Sequence, residues 1–164
     1  VPRRFLTSRW VPAAGGATVP GALKPIYERL RTASPRHPYP DVPLQGRPRP
    51  RFGDPDPAYP GATIGGTAAK PDVSPDHIYP LAAIIRLPGF LRLTPRHMYS
   101  VVNAPVNLQW LSKRANSAKR SVSMGRVLGV SPSFARQQVV LEQRARRQLE
   151  RAIELLLRTQ ARGR

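Results

Sequence analysis

The strongest pattern along the chain is a helical repeat of apolar positions between residues 131 and 160. Taken at about 100° per residue, six apolar side chains fall on one side of such a helix. They are Leu141, Ala145, Leu149, Ala152, Ile153 and Leu156. Ser131 suits the N-cap, Pro132 suits the first helical position, and the next Gly or Pro is Gly163. The pattern predicts a helix of roughly 26 residues, about 39 Å long.

A second side of the same predicted helix is basic. Its members, which lie more than a right angle from the centre of the apolar side, are Arg144, Arg147, Arg151 and Arg158. Glu150 and Glu154 lie three or four residues from neighbouring arginines and can stabilise the helix by local pairing. Two other interpretations stay open: a basic face that is only solvated, or a coiled coil, for which the apolar repeat is short.

Shorter elements are predicted ahead of the long helix. Helices are expected at 25–32, at 95–102, where a Thr-Pro pair supplies a cap and a first helical residue, and from 106 to about 118. A short apolar stretch, 81–85, lies between the first two. Roughly 20 large apolar side chains follow Ile78, which predicts a core of marginal independent stability.

Proline dominates the front of the chain and excludes regular structure there. Thirteen of the 20 prolines precede residue 61, and nine of them fall between Ser34 and Pro60. Each proline removes a backbone donor and favours extended geometry in the residue before it. One interpretation is a Pro-rich linker or a ligand for a Pro-binding module. The other is a tail that threads across a charged surface, since arginines alternate with prolines from Arg47 to Arg51.

These patterns predict a mainly α chain with long irregular extended segments. We divide it into an extended Pro/Arg-rich arm at 1–70, a body of short helices with a basic loop at 71–130, and the long basic amphipathic helix at 131–164.

Charge decides which partner the chain suits. The 27 Lys and Arg face only 9 Asp and Glu, a formal net charge of +18. Such a charge attracts polyanions, nucleic acid first and an anionic membrane surface second. No acidic residue lies between Asp76 and Glu142, and small polar residues surround the basic ones between Lys113 and Arg126. That loop suits hydrogen bonds to phosphate and ribose oxygens, although a solvated basic loop is the plainer interpretation.

No pattern of catalytic or metal-binding residues is present in the sequence. Cysteine is absent, the three histidines are dispersed, and the Asp54–Asp56 and Asp72–Asp76 pairs suit turns and caps. We therefore predict no enzyme activity, no catalytic residue, no metal, no cofactor and no small-molecule substrate. The longest apolar run, 81–93, is interrupted by Arg, Pro and Gly, so no transmembrane segment is predicted.

The whole layout resembles the lineage-specific proteins of mitochondrial ribosomes. Those proteins are basic, carry extended Pro/Arg-rich arms on small helical bodies, and thread these arms over ribosomal RNA and neighbouring proteins. The resemblance implies ribosomal RNA and other ribosomal proteins as partners, and the mitochondrial matrix as the location. Residues 1–12 are basic without any acid, and we interpret them as mature chain that follows a removed transit peptide.

The resulting hypothesis is an architectural RNA-binding protein of a mitochondrial ribosomal subunit. The predicted RNA contacts are Arg3, Arg4, Arg9, Arg47, Arg49, Arg51, Lys113, Arg114, Lys119, Arg120, Arg126, Arg144, Arg147, Arg151 and Arg158. The predicted contacts with protein are Leu141, Leu149, Ile153 and Leu156. The alternative is an accessory subunit of a large mitochondrial membrane complex, a respiratory complex or ATP synthase, for which the 81–93 run would meet the membrane. A free DNA-binding or assembly factor comes third.

Overall fold

The computed structural model describes residues 19–32, 42–119, 124 and 127–163. Within them lie five helices and two strands, joined in part by single 3₁₀ turns. They are α1 (Lys24–Thr32), β1 (Val73–His77), α2 (Leu81–Ile84), α3 (Pro95–Val102), β2 (Leu108–Ser112), α4 (Lys113–Lys119) and α5 (Pro132–Arg162). The 3₁₀ turns are Gly21–Leu23, Phe90–Arg92 and Pro105–Asn107. This architecture confirms the mainly helical class and the long C-terminal helix, and it adds a small sheet that the sequence did not predict.

Helix α5 begins and ends where the sequence signals lie. The Ser131 hydroxyl accepts a hydrogen bond from the Phe134 N–H, and Pro132 occupies the first turn. The helix then runs for 31 residues, about 46 Å, and stops at Gly163. It is longer than predicted because helix-forming residues continue to Arg162 without a breaker.

The buried side of α5 crosses two apolar clusters. Near its start, Phe134 packs with Tyr59, Leu111 and neighbouring residues. Farther along, Leu149 and Ile153 are fully buried in the main core. A helix anchored at both ends of its buried side is held rigidly against the body, which fixes the direction of its outward side chains.

The two strands correct the predicted helix at 106–118. They pair antiparallel in the register Val73 opposite Ser112 through His77 opposite Leu108, and the helical part begins only at Lys113. Four of the five residues of β2 are buried, so the strand shows no alternation of apolar and polar positions. Its partner contains Pro75, which a strand with a free edge tolerates.

The described part of the predicted arm, 42–70, contains no helix or strand, and it is folded onto the body, a packing that the sequence did not predict. Leu44, Tyr59 and Ile64 are buried. Backbone hydrogen bonds join 53–56 to 62–64, including Ile64 N–H to Asp54 O at 2.8 Å. The short helix predicted at 25–32 is confirmed as α1, and its Leu30 enters the main core.

The broken apolar run between residues 81 and 93 lies inside the body. All four residues of α2 are buried, as are Leu87, Phe90 and Leu93. Among the helices of the described ranges, none combines the length and apolarity that crossing a bilayer requires.

Candidate nucleic-acid interface

A cleft of about 770 Å³ opens between the segment 44–57, strand β2 and the first half of α5. Four arginines line it, and we refer to it as the arginine cleft: Arg47, Arg49, Arg136 and Arg144. Its apolar walls are formed by prolines and by larger side chains. These wall residues are Leu44, Pro48, Pro50, Pro55, Pro57, Trp110, Phe134, Val140 and Leu141.

Gln45 builds one side of the cleft mouth. Leu44 and Arg47 exchange backbone hydrogen bonds of 3.0 and 3.1 Å around a tight turn, in which Gln45 has φ +54° and Gly46 has φ +69°. A residue other than glycine rarely adopts this left-handed backbone conformation, and contacts with the surrounding structure maintain it. Here the Gln45 amide nitrogen lies 3.1–3.3 Å from three backbone carbonyls of residues 105–108.

The same side chain orients an arginine of α5. The Gln45 Oε1 accepts a hydrogen bond of 3.1 Å from Arg144 Nη2. Across the cleft, the Trp110 indole N–H donates to Val42 O at 3.0 Å, and the Arg49 guanidinium lies 5.7 Å from the Trp110 ring centroid. Contacts at Val42, Gln45 and Arg49 thus attach the first part of segment 44–57 to the body, and the mouth of the cleft has a defined shape.

The floor of the cleft is a buried amide pair. Gln109 Nε2 donates to Gln138 Oε1 at 2.7 Å, and Gln138 Nε2 donates back to Gln109 Oε1 at 2.9 Å. Gln109 also reaches Asp76 Oδ2 at 3.2 Å. Because each amide satisfies the other, the floor is polar without a missing hydrogen-bond partner.

The electrostatic balance of the cleft is positive. Asp54 is the one carboxylate among the lining residues, and its Oδ2 accepts the Arg51 backbone N–H at 2.8 Å. Arg47, Arg136 and Arg144 are exposed at the mouth. Low-dielectric walls beside exposed cations focus the field into the opening, which favours an anionic ligand.

The arginine side predicted for α5 is exposed in the structure. Arg144, Arg147, Arg151 and Arg158 all point away from the core. Arg158 has Glu154 at 3.8 Å, with both side chains largely exposed, a contact worth little in water. These arginines can therefore exchange water or a weak partner for phosphate at small cost.

The predicted basic loop divides into surface and interior residues. Lys113 pairs with Asp72 at 3.0 Å on the surface, and the Arg114 guanidinium lies 3.9 Å from the Tyr59 ring centroid while the side chain stays exposed. Lys119 is a correction, because its side chain is 1% exposed and pairs with the buried Asp76 at 2.6 Å. It is therefore unavailable to RNA.

Other predicted contacts have different outcomes. Arg51 lies within segment 44–57 and is exposed, but it does not line the cleft. Five of the predicted RNA contacts lie outside the described residues: Arg3, Arg4, Arg9, Arg120 and Arg126. The predicted protein contacts of α5, which are Leu141, Leu149, Ile153 and Leu156, face the chain's own core, fully buried at 149 and 153 and partly buried at 141 and 156. This is a correction, since a second protein cannot reach the two fully buried residues.

Among the polar and aromatic residues that shape the cleft, Gln45, Trp110 and Arg136 were not predicted as site residues, and neither were Gln109 and Gln138 of its floor. Arg136 lies eight residues before Arg144 with Val140 midway, a spacing that places the three on one side of a helix. That signal was available in the sequence. Gln45 and Trp110 carried no signal, because their place at the cleft depends on contacts between distant parts of the chain.

His77 and Tyr79 are two titratable residues whose pKa values are shifted from their ordinary values. His77 Nε2 lies 3.0 Å from Val102 O, and this carbonyl accepts a hydrogen bond from it. Burial lowers the pKa of His77 below its ordinary value of 6.5, and the Lys119 charge acts in the same direction, whereas Asp76 and the hydrogen bond to Val102 oppose it. Nearby, burial raises the pKa of Tyr79 to about 12.

Across the described ranges, no group of three or more His, Cys, Asp or Glu side chains is placed to hold a metal ion.

Comparisons of this chain with protein-family models, with curated proteins and with solved structures found no match.

Proposed function

We propose that this chain is a structural protein of a large ribonucleoprotein and binds RNA mainly through phosphate contacts. The observation that carries the proposal is the position of Arg144. It lines the arginine cleft and also begins the exposed arginine side of α5. The two basic regions are therefore continuous from the cleft mouth to Arg158, a helical distance of about 21 Å.

Phosphate contacts of this kind give affinity without sequence preference. Arginine donates up to five hydrogen bonds in a planar arrangement that suits phosphate oxygens, and neutralised phosphates release counterions. The +18 net charge adds long-range attraction to any polyanion. The conclusion is a protein that recognises the shape and charge of folded RNA.

The host that we propose is a mitochondrial ribosomal subunit in the organelle matrix, with ribosomal RNA and neighbouring ribosomal proteins as partners. The support is the resemblance in layout to the lineage-specific proteins of those ribosomes, together with the basic surface. The alternative, an accessory subunit of a membrane complex, depended on an apolar run that meets the membrane. That run is buried in the body, which removes the membrane contact on which the alternative mainly relied.

Fractionation of native particles tests the proposal. Organelle lysate and detergent-extracted membranes are separated on density gradients, and the endogenous protein is detected with an antibody. We expect it to sediment with ribosomal subunits and to leave them when the RNA is digested with ribonuclease. Sedimentation with a respiratory complex or ATP synthase, unaffected by ribonuclease, would contradict the proposal.

A charge-matched pair of variants links that result to the surface. One carries Gln at Arg144, Arg147, Arg151 and Arg158, and the control carries Gln at four exposed basic residues on other parts of the surface, Lys24, Arg29, Lys70 and Arg96. Both lose the same charge. Weaker association is expected for the α5 variant than for the control.

A further inference from the structure

We propose that the arginine cleft binds an unpaired nucleotide of RNA, so that the protein holds single-stranded RNA at the cleft and folded RNA along α5. This inference rests on the proposed function and specifies the form of RNA that one part of the surface takes.

The size of the cleft supports a single nucleotide. Its volume of about 770 Å³ falls within the range of roughly 300–1,000 Å³ that small-ligand pockets occupy. A base inside a double helix is stacked and paired, and it reaches a pocket only when it is turned out of the stack or belongs to a loop or single strand.

The walls supply surfaces for a base. The Trp110 ring lines the cleft, and its N–H is already donated to Val42 O, so its ring surface is what it offers to a ligand. The Arg49 guanidinium already lies over one face of the same ring, 5.7 Å from its centroid, so a base stacks either on the outer side of this guanidinium or in its place on the ring. Aromatic rings and guanidinium planes are the two surfaces on which proteins stack unpaired bases.

The mouth supplies cations for the phosphates on either side of that base. Arg47 lies on the proline-rich segment, while Arg136 lies on α5, and both are exposed. A strand whose base enters between these two walls therefore has a guanidinium available on each side. The one lining carboxylate, Asp54, already accepts the Arg51 N–H.

The floor indicates that binding tolerates any base. The Gln109 and Gln138 amides bond to each other, and a base edge that recruited either amide would have to break that pair. Stacking without such hydrogen bonds shows little sequence preference.

The chemistry favours RNA over an acidic peptide, because a peptide carboxylate would use the arginines but leave the ring surface and the proline walls without a matching group.

The test compares two RNAs with matched variants of the full chain. Fluorescence anisotropy measures binding of a labelled eight-nucleotide oligouridylate and of a duplex with the same number of phosphates. The cleft variant is Arg47→Gln/Arg136→Gln, and the control, with the same charge, is Arg151→Gln/Arg158→Gln. We expect the cleft variant to lose about tenfold in affinity for the single strand, and to weaken duplex binding no more than the control does.

A second measurement needs no change in the cleft. In a Trp10→Phe variant, Trp110 is the remaining tryptophan, and oligouridylate should quench its fluorescence at concentrations that match the affinity from anisotropy. Equal losses of both RNAs in the cleft variant, or no quenching, would overturn the cleft proposal and leave general RNA binding standing. Binding of neither RNA by the wild-type chain would overturn the proposed function as well. An oligoglutamate of equal charge that binds as tightly as the single strand would overturn the choice of RNA.

Discussion

Lys119 Nζ lies 2.6 Å from Asp76 Oδ2, and both side chains are buried, one at the end of α4 and the other in β1. The ammonium group also donates to the backbone carbonyls of His77 and Ile78. Two charges removed from water are tolerated only when each has a partner and its remaining hydrogen-bonding capacity is used. The pair therefore ties α4 to the sheet beneath the cleft floor.

We predict that Lys119→Met destabilises the fold by about 3–5 kcal/mol, because it leaves the Asp76 carboxylate buried without its cation. Urea denaturation followed by circular dichroism measures the change. The double variant Lys119→Met/Asp76→Leu should recover much of the loss, since no unpaired charge remains.

The surface pair provides the control: Lys113→Met removes an exposed partner of Asp72 and should change the free energy of unfolding by less than about 1 kcal/mol. Similar losses for both lysines would contradict this assignment.

Acid should weaken the fold through His77. Its pKa is lowered in the folded state mainly by burial, so as pH falls below 6.5 the unfolded chain takes up a proton before the folded chain does. Stability therefore decreases as pH falls through this window, with a contribution of up to about 1.4 kcal/mol per pH unit. The test is urea denaturation at pH 7.5, 6.5 and 5.5 on the wild type and on His77→Gln, which keeps an amide donor for Val102 O.

The His77→Gln variant should lose part of the slope between pH 6.5 and 5.5. A His97→Gln variant, which removes a different histidine, should retain the His77 contribution. An unchanged slope in His77→Gln would show that His77 does not carry the effect.

Gly89 is expected to be intolerant of a side chain for two separable reasons. Its φ is +80°, and a Cβ there would lie 2.7 Å from Leu157 Cδ1 and 3.3 Å from Ile153 Cγ2 of α5. Gly129 has φ +82° with open space around it, so Gly129→Ala measures the backbone cost alone, about 1–2 kcal/mol. Gly89→Ala should lower the melting temperature further, and calorimetry of both variants gives the difference. Equal shifts would mean that α5 moves to accommodate the added methyl group.

The helices could be predicted because their signals are local. The N-caps Thr94 and Ser131, each followed by a proline, begin α3 and α5 as expected, and the leucine spacing of α5 identified its buried side. The sheet could not be predicted, because β1 is short, polar and contains Pro75, and its pairing partner lies more than 30 residues away. A strand that is buried on both faces does not alternate apolar and polar residues, and a pairing over that distance gives no local sequence signal.

The candidate site divides in the same way. The arginines at 47, 49 and 144 were predicted from local charge and spacing. The sequence alone could not show which basic side chain would be buried in an ion pair. Lys119 forms such a pair with an aspartate 43 residues earlier in the chain. Trp110 and Gln45 join the cleft through contacts 68 and 63 residues away along the chain, and such contacts are set by tertiary packing.

The central claim is that exposed arginines bind RNA phosphates, and the salt dependence of RNA affinity tests it most directly. Filter binding of the full chain to a structured ribosomal RNA fragment, repeated from low to high monovalent salt, gives the slope of log affinity against log salt concentration. Four arginine–phosphate contacts predict a slope of about −3 or steeper, and removing the α5 arginines should flatten it. An affinity that changes little across the whole salt series would contradict the account.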